Sequence, residues 1–384
     1  MDFERSNQHE FNGNASLKKL FGEYRVTNYA RFIRFTELEG NIIDDGILTW
    51  YDAREQHPTR SEYRLYFKDN KVMETALSGD LFIIARRPDG ELLVIISEQN
   101  STVENQLKWL FGIEESVGIF NFMEMDNKNR EMNFPAMIIL DELGVDTLTE
   151  SDEYIDHLIE PFISKGFPKT SIFSNLARDA LKNAEPFEFP DETIIEWMNL
   201  EETMFRRLEK HIVSNRLSAG FSDHGEVDVD GFIHFSLSVQ NRRKSRVGHA
   251  LENHLEEIFK VHGLSFDKGK VTENNSKPDF LFPGLKEYQS SSFSEEQLTM
   301  LGVKTTCKDR WRQVLAEAER INHKHLFTLE PGITEKQTDQ MKYNNLQLVV
   351  PQALFETYSI RQNNYLMNLK EFISEIKRKE KAMG

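Results

Sequence analysis

The chain has 384 residues, 39% of them hydrophobic and 11% aromatic, enough apolar surface for two packed cores, and its formal net charge is −16. A single cysteine, Cys307, excludes an intrachain disulfide and any cysteine-based metal cluster, so a reducing cytoplasm is the expected setting. No basic stretch followed by an apolar run opens the sequence, and nowhere do about eighteen apolar residues run together, so neither targeting nor a membrane span is expected.

The acidity is not evenly spread. Residues 101–200 carry 20 acidic against 7 basic side chains, whereas residues 301–384 carry 14 basic against 10 acidic. The overall charge therefore does not exclude a polyanionic partner for the last segment.

Between residues 30 and 113 the pattern is short and β-like: RFIRFTEL, GILTWY, SEYRLYF, DLFIIARR and ELLVIIS, with Asp45-Gly46 and Pro88-Asp89-Gly90 as turn signals. DLFIIARRPDGELLVIIS reads as a hairpin and TVENQLKWLFGI as a helix. We expect a mainly β, barrel-like N-terminal domain over residues 1–140. Residues 141–231 turn acidic and helical, as in DEYIDHLIEPFISKG, TSIFSNLARDALKN and DETIIEWMNLEETMFRRLEKHIVSNRL, and form a connector. The Gly- and Asp-rich residues 218–231 are the expected linker and protease-sensitive site.

Residues 232–384 alternate helices and strands. GHALENHLEEIFKVHG is an amphipathic helix, followed by the strand PDFLFP, the apolar strand QLTMLGVK, the helix DRWRQVLAEAERI, the strand KHLFTL, the helix TEKQTDQMKY and the strand LQLVVP. An α/β domain with a central mixed sheet is expected.

This order carries a chemical pattern. A short strand led by Pro278-Asp279 precedes a buried strand ending in Lys304. Phosphodiester hydrolysis needs carboxylates to hold a divalent cation near the scissile phosphate and a cation to steady the attacking water or the developing charge. The PD-(D/E)XK nucleases place these groups in this way, with an acid two residues before the lysine; here that position is Gly302. If Trp311, Val314, Leu315, Ala318 and Ile321 are the buried stripe of the next helix, Glu317 lies on one flank with Arg310 and Glu319 on the other with Arg312. Periodicity does not choose between the two acids.

VQNRRKSRVGHALENHLEEIF, NNSKPDFLFPGLKEY and TMLGVKTTCKDRWRQVLAEAERI, with KHLFTLEPGI and LQLVVP, closely resemble the catalytic domain of the EcoRII family of restriction endonucleases over roughly residues 238–350. In that family the acid is displaced from the second strand onto the helix. The resemblance implies that Asp279 and Glu317 bind Mg2+, that Lys304 is the catalytic lysine, and that Tyr288 and Glu252 belong to the active-site neighbourhood. It also implies a type II restriction endonuclease acting on double-stranded DNA at a short site built on CC and GG flanking a central A·T pair. A roughly palindromic site needs two centres related by a two-fold axis, so a homodimer or larger homo-oligomer is expected.

Lys308, Asp309 and Arg310 offer donors to guanine and an acceptor for cytosine, and are the expected base-reading cluster, against the plain alternative of a charged helix start. Arg242, Arg243, Lys244 and Arg246 are the expected DNA-backbone contacts. The resemblance further implies an N-terminal barrel-like domain that binds another copy of the site and restrains cutting. Arg60, Arg64 and Arg86 are its expected DNA contacts, with exposed scaffold arginines as the alternative. Cys307 reads as a buried structural thiol, and His323 and His325 as surface histidines. Two other functions stay open at this point: a repair or modification-dependent nuclease of the same superfamily, and a catalytically silent DNA-binding regulator.

Overall fold

The computed structural model describes residues 9–36, 41–87, 90–113, 120–122, 134–142, 153–223, 226–307 and 310–382. The chain divides into two units, Met1–Glu131 with Gly332–Thr334, and Met132–Pro331 with Glu335–Gly384.

The first unit contains β1 (Glu10–Asn12), α1 (Ala15–Phe21), β2 (Val26–Phe35), β3 (Ile42–Asp52), β4 (Tyr63–Phe67), α2 (Lys71–Thr75), β5 (Leu81–Arg86), β6 (Leu92–Ser97) and α3 (Thr102–Phe111). Its six strands run in the order β1-β4-β3-β2-β6-β5, and only β2 and β6 pair in parallel. Alternation places Leu48 and Trp50 of β3 in the core and Ile43 and Asp45 outside. Among the described residues the edge strands β1 and β5 share no ladder. Their aromatic side chains nonetheless meet, with the rings of Phe11 and Phe82 5.0 Å apart and Phe120 against both at 5.6 and 5.8 Å. The sheet thus curls until its edges touch through side chains. The expected hairpin is present as β5 and β6, with Pro88 and Asp89 outside the described residues.

The second unit begins with α4 (Phe134–Glu142), α5 (Glu153–Ile163), α6 (Thr170–Ala180) and α7 (Pro190–Ala219). A two-stranded ladder, β7 (Ser222–Asp223) and β8 (Glu226–Val227), joins α7 to α8 (Val229–Val261). Then follow β9 (Asp267–Lys268), β10 (Phe280–Phe282), α9 (Leu285–Gln289), β11 (Thr299–Lys304), α10 (Trp311–Leu315), β12 (Lys324–Thr328), α11 (Glu335–Tyr343), β13 (Leu346–Val349), α12 (Ile360–Asn363) and α13 (Leu369–Lys381). The sheet order is β13-β12-β11-β10-β9; β11, β12 and β13 are mutually parallel and β10 is antiparallel to both neighbours. This is the mixed sheet expected from the alternating pattern.

Two expectations about the middle of the chain are corrected. The acidic helices are not a separable connector, because Ile194, Ile195, Trp197 and Met198 of α7 share one core with Leu251, Leu255 and Phe259 of α8, Phe280 and Phe282 of β10, and Phe372 of α13. Buried Asp191, in the first turn of α7, accepts from the backbone N–H of Leu369 at 2.8 Å, Lys370 at 3.0 Å and Gln352 at 3.2 Å, and so holds the start of α13. Residues 218–231 are not a linker between domains but the turn of a helical hairpin. Gly220, with φ 74°, stops α7, and the Asp228 carboxylate caps α8 through Gly231 N–H at 2.8 Å. Glycine and aspartate signal chain reversal, and the same residues serve a linker or a tight helix-to-helix turn.

Candidate active site

Asp279 directly precedes β10, beside the last residues of β11. Its Oδ2 accepts from Val303 N–H at 2.6 Å and from Lys304 Nζ at 3.3 Å. The antiparallel pairing of β10 with β11 therefore brings the Pro-Asp motif onto the lysine, as the strand pattern anticipated.

Position 302 cannot carry an acid here. A Cβ built on Gly302 would lie 2.8 Å from Val314 Cγ2 and 3.0 Å from its Cγ1, because α10 lies directly on this part of the sheet. The carboxylate reaches the same face from beyond the helix. α10 is shorter than the periodicity suggested: it ends at Leu315, and Ala318 adopts φ +48°, turning the chain. Glu317 is therefore on the turn after the helix and not on a helical flank. Trp311, Val314, Ala318 and Ile321 are buried as expected from the stripe.

Burial pushes the Glu317 carboxyl up to about 7, with Lys304 opposing the shift and Asp279 adding to it. Its Oε2 is buried without a hydrogen-bond partner. Glu319 points elsewhere, accepting from Asn274 Nδ2 at 2.7 Å in an exposed position. Geometry thus separates two acids that periodicity could not. Glu252, on α8, also faces this group; burial raises its pKa, and the Asp279 charge raises it further. Lys268 Nζ stands 3.8 Å from Glu252 Oε2 and donates to Asn253 Oδ1 and Glu256 Oε2, each at 3.1 Å.

Tyr288 is not among these groups. It is buried, donates to Glu273 Oε2 at 2.6 Å and accepts from Arg320 N–H at 3.3 Å. Arg320 also donates to the carbonyls of Tyr288, Ser290 at 3.1 Å and Phe293 at 3.0 Å. This lattice braces the chain just after Glu317. Sequence reasoning missed Arg320, Lys268 and also Lys324, which is only 8% exposed and donates from Nζ to Leu315 O at 2.9 Å. A signal for Lys324 was available, since a lysine inside a central parallel strand is out of place unless it has a partner.

Of the expected base-reading cluster, Lys308 and Asp309 lie outside the described residues. Arg310 is exposed and donates to Thr306 O and Oγ1 at 2.9 and 2.8 Å. The expected run of backbone-contact arginines needs correction. Arg246 is buried between α7 and α8, paired with Glu201 at 3.0 Å and with Glu202, and stacked over Phe205. Arg243 is held by Glu209 at 2.7 Å. Helical spacing turns these two residues toward the glutamates of α7, which leaves Arg242 and Lys244 on the exposed side. In the first unit Arg64 is taken up by Glu62 and, at 3.5 Å, by Glu10, whereas Arg60 and Arg86 are exposed.

Cys307 is fully buried, and burial raises its thiol pKa well above the ordinary value, so it is no nucleophile. His323 is exposed, but His325 is buried, a correction to the surface reading. Its ring packs on Phe372 at 5.1 Å, and burial pushes its pKa down to about 3, leaving it neutral.

Glu317, Asp279 and Glu252 are the residues fit to hold a divalent cation. They are hard oxygen donors, and a buried orphaned carboxylate oxygen is a group that a cation would satisfy. Among the described residues no group of three or more His, Cys, Asp or Glu side chains is arranged to hold a metal ion. Nor, among the described residues, is any helix long and apolar enough to cross a membrane.

Residues 205–373 match the family model described as EcoRII C terminal. The type II restriction enzyme EcoRII of Escherichia coli is 44% identical over 188 residues, 49% of this chain and 45% of that protein, so the chain spans about half the length of this relative. Among solved structures, metal-depleted Ecl18kI in complex with uncleaved, modified DNA aligns with a TM-score of 0.49 at 20% identity, covering 62% of this chain and 87% of that one. A PspGI–substrate DNA complex aligns with a TM-score of 0.47 at 15% identity, covering 58% and 96%. Asp279, Lys304 and Glu317 all lie inside residues 205–373, the part of this chain that is similar to the EcoRII C-terminal domain.

Proposed function

We propose that this protein is a Mg2+-dependent type II restriction endonuclease that hydrolyses duplex DNA at a short, roughly palindromic site. It acts as a homodimer or larger homo-oligomer, with the first unit as a regulatory module. The observation that carries this reading is the convergence of Asp279, Lys304, Glu317 and Glu252, from four separate elements, inside the segment similar to the EcoRII C-terminal domain.

Asp279 and Glu317 would hold the cation, and Glu252, which feels the Asp279 charge, would assist. The cation, when bound, supplies charge neutralisation at the scissile phosphate and favours ionisation of a water molecule. Lys304, whose Nζ donates to Asp279, would hold the attacking water or the charge that develops on phosphate oxygen. Water oxygen bonds to phosphorus as the bond to the leaving ester oxygen breaks, with inversion expected for direct displacement. Arg310, with Lys308 and Asp309, would read G·C pairs, and Arg242 and Lys244 would contact phosphates.

The test is digestion of unmodified and cytosine-modified plasmid with Mg2+ or with EDTA, followed by sequencing of the ends. Discrete fragments sharing one short site built on CC and GG, absent with EDTA, are expected. Cutting of modified DNA alone would replace this reading with a modification-dependent nuclease, and binding without cutting would replace it with a silent regulator.

A further inference from the structure

We propose that Lys324 is a positioning residue that holds the Glu317 carboxylate in place from the side opposite Lys304; this rests on the nuclease reading above. The argument starts from strand register. β11 and β12 pair in parallel, Gly302 with Leu326 and Lys304 with Thr328. Side chains alternate along a strand, so Met300, Gly302 and Lys304 share a face with Lys324, Leu326 and Thr328. Lys304 stands at one end of this face and Lys324 at the other, roughly 13 Å apart by strand rise. The bare backbone of Gly302 between them admits α10.

The turn carrying Glu317 comes down over this gap. Lys324 Nζ donates to Leu315 O at 2.9 Å, at the end of α10 and two residues before Glu317. A cation there satisfies a carbonyl at the helix C-terminus and sets where the chain turns. Glu317 feels both lysines as opposing charges to its burial, and Lys324 feels Glu317 in return. Other side-chain braces of the turn include Ser276 Oγ to Ala316 O at 3.5 Å, Asn274 Nδ2 to Glu319, and Arg320 with Tyr288. Lys324 alone among these carries a charge that Glu317 senses. An acid moved off its strand loses the strand's rigidity, and a buried lysine under the turn compensates for that loss.

The experiment uses the full chain and four forms: wild type, Lys324→Met, Glu317→Gln and the double variant. Mn2+ binding is followed by electron paramagnetic resonance, DNA binding by gel shift without divalent metal, and cleavage under single turnover with saturating DNA. Lys324→Met should lose about tenfold in Mn2+ affinity and at least as much in cleavage rate, the scale of a lost outer-shell partner, with DNA affinity within about twofold. Adding Lys324→Met to Glu317→Gln should weaken Mn2+ binding no further, because the lysine acts through that carboxylate. Lys324→Arg, which keeps the cation, should recover most of the Mn2+ affinity. If Lys324→Met is unstable, Lys324→Gln takes its place, keeping a donor for Leu315 O without the charge, and the same outcomes decide. Wild-type Mn2+ affinity and rate in the lysine variant, or an equal loss in both glutamate backgrounds, overturns the inference. A wild type that neither binds Mn2+ nor cuts DNA overturns the nuclease reading itself.

Discussion

The two sheets of this protein dispose of charge in opposite ways. In the first unit, arginine is matched with carboxylate nearby: Arg31 faces Asp45 across the β2–β3 ladder at 3.3 Å, Arg34 is buried on Asp80 at 3.1 Å, and Arg64 is shared by Glu10 and Glu62. In the second unit, Asp279, Glu252 and Glu317 crowd around Lys304, and Glu317 keeps an oxygen buried without a partner. Balanced charge serves a scaffold. Burial raises the pKa of Glu252 and Glu317, and the Asp279 charge adds to both shifts; such an arrangement lowers stability, and proteins retain it where a cation is to be bound.

The largest effect that would sharpen this contrast is catalytic. Asp279→Ala, Lys304→Ala and Glu317→Ala should each reduce single-turnover cleavage by roughly 10²–10⁴-fold, the range for loss of a group acting on the reacting atoms, with specific DNA binding retained. Glu319→Ala should cut nearly as wild type. A dead Glu319 variant beside an active Glu317 variant would reverse the assignment of the displaced acid.

Next in size is the folding of the second unit. A fragment of residues 232–384 lacks Asp191, Ile194, Ile195, Trp197 and Met198, all buried. Burial of each large apolar side chain is worth about 1.5–3 kcal/mol, so together they match the whole net stability of an ordinary domain. The fragment should show no cooperative thermal transition, whereas residues 132–384 should melt cooperatively. A soluble 232–384 fragment with a sharp transition would restore α7 to the status of a connector.

Arg246→Ala should cost up to about 3–5 kcal/mol in urea unfolding, because it takes a charged partner from two buried glutamates, leaving Glu201 with His254 and Glu202 with Arg206. Arg242→Ala should cost no more than about 1 kcal/mol, for its place over the Phe167 ring, and reduce the salt dependence of DNA binding. Equal stability of the two variants would show that the α7–α8 ion pairs are as dispensable as surface ones.

The smallest effect tests the crowded carboxylates directly. The folded protein holds the Glu317 proton up to about pH 7, well above the usual carboxylate range, so the stability of the protonated form is complete in acid and is lost as pH rises through 7. Metal-free Glu317→Gln should therefore melt above wild type at pH 8, with the gap closing toward pH 5. Mg2+ should raise the melting temperature of wild type and leave the variant nearly unchanged. A gap that does not change with pH would mean that Glu317 is solvated like a surface acid.

Residue order alone revealed β2 to β6 of the first unit, β10 to β13 of the second and the mixed C-terminal sheet, because alternation and apolar runs record burial directly, but it did not reveal the short strands β1, β7, β8 and β9; the expectation that Asp279 stands beside Lys304 came from the nuclease pattern. It narrowed the displaced acid to Glu317 or Glu319, and the family resemblance, not periodicity, favoured the first. Four matters waited for the tertiary structure. The departure at Gly302 is explained by Val314, a residue of the next helix whose approach no local pattern records. Arg243 and Arg246 look like a phosphate-binding run, yet their partners lie on α7, more than 30 positions away. The Gly- and Asp-rich residues 218–231 mark a reversal of the chain but not what the two helices pack against. Lys324 reads as one more charged residue between histidines until the register of β11 and β12 puts it on the face of Lys304. Periodicity encodes which side of an element is buried, whereas the pairing of charges depends on which distant element arrives there.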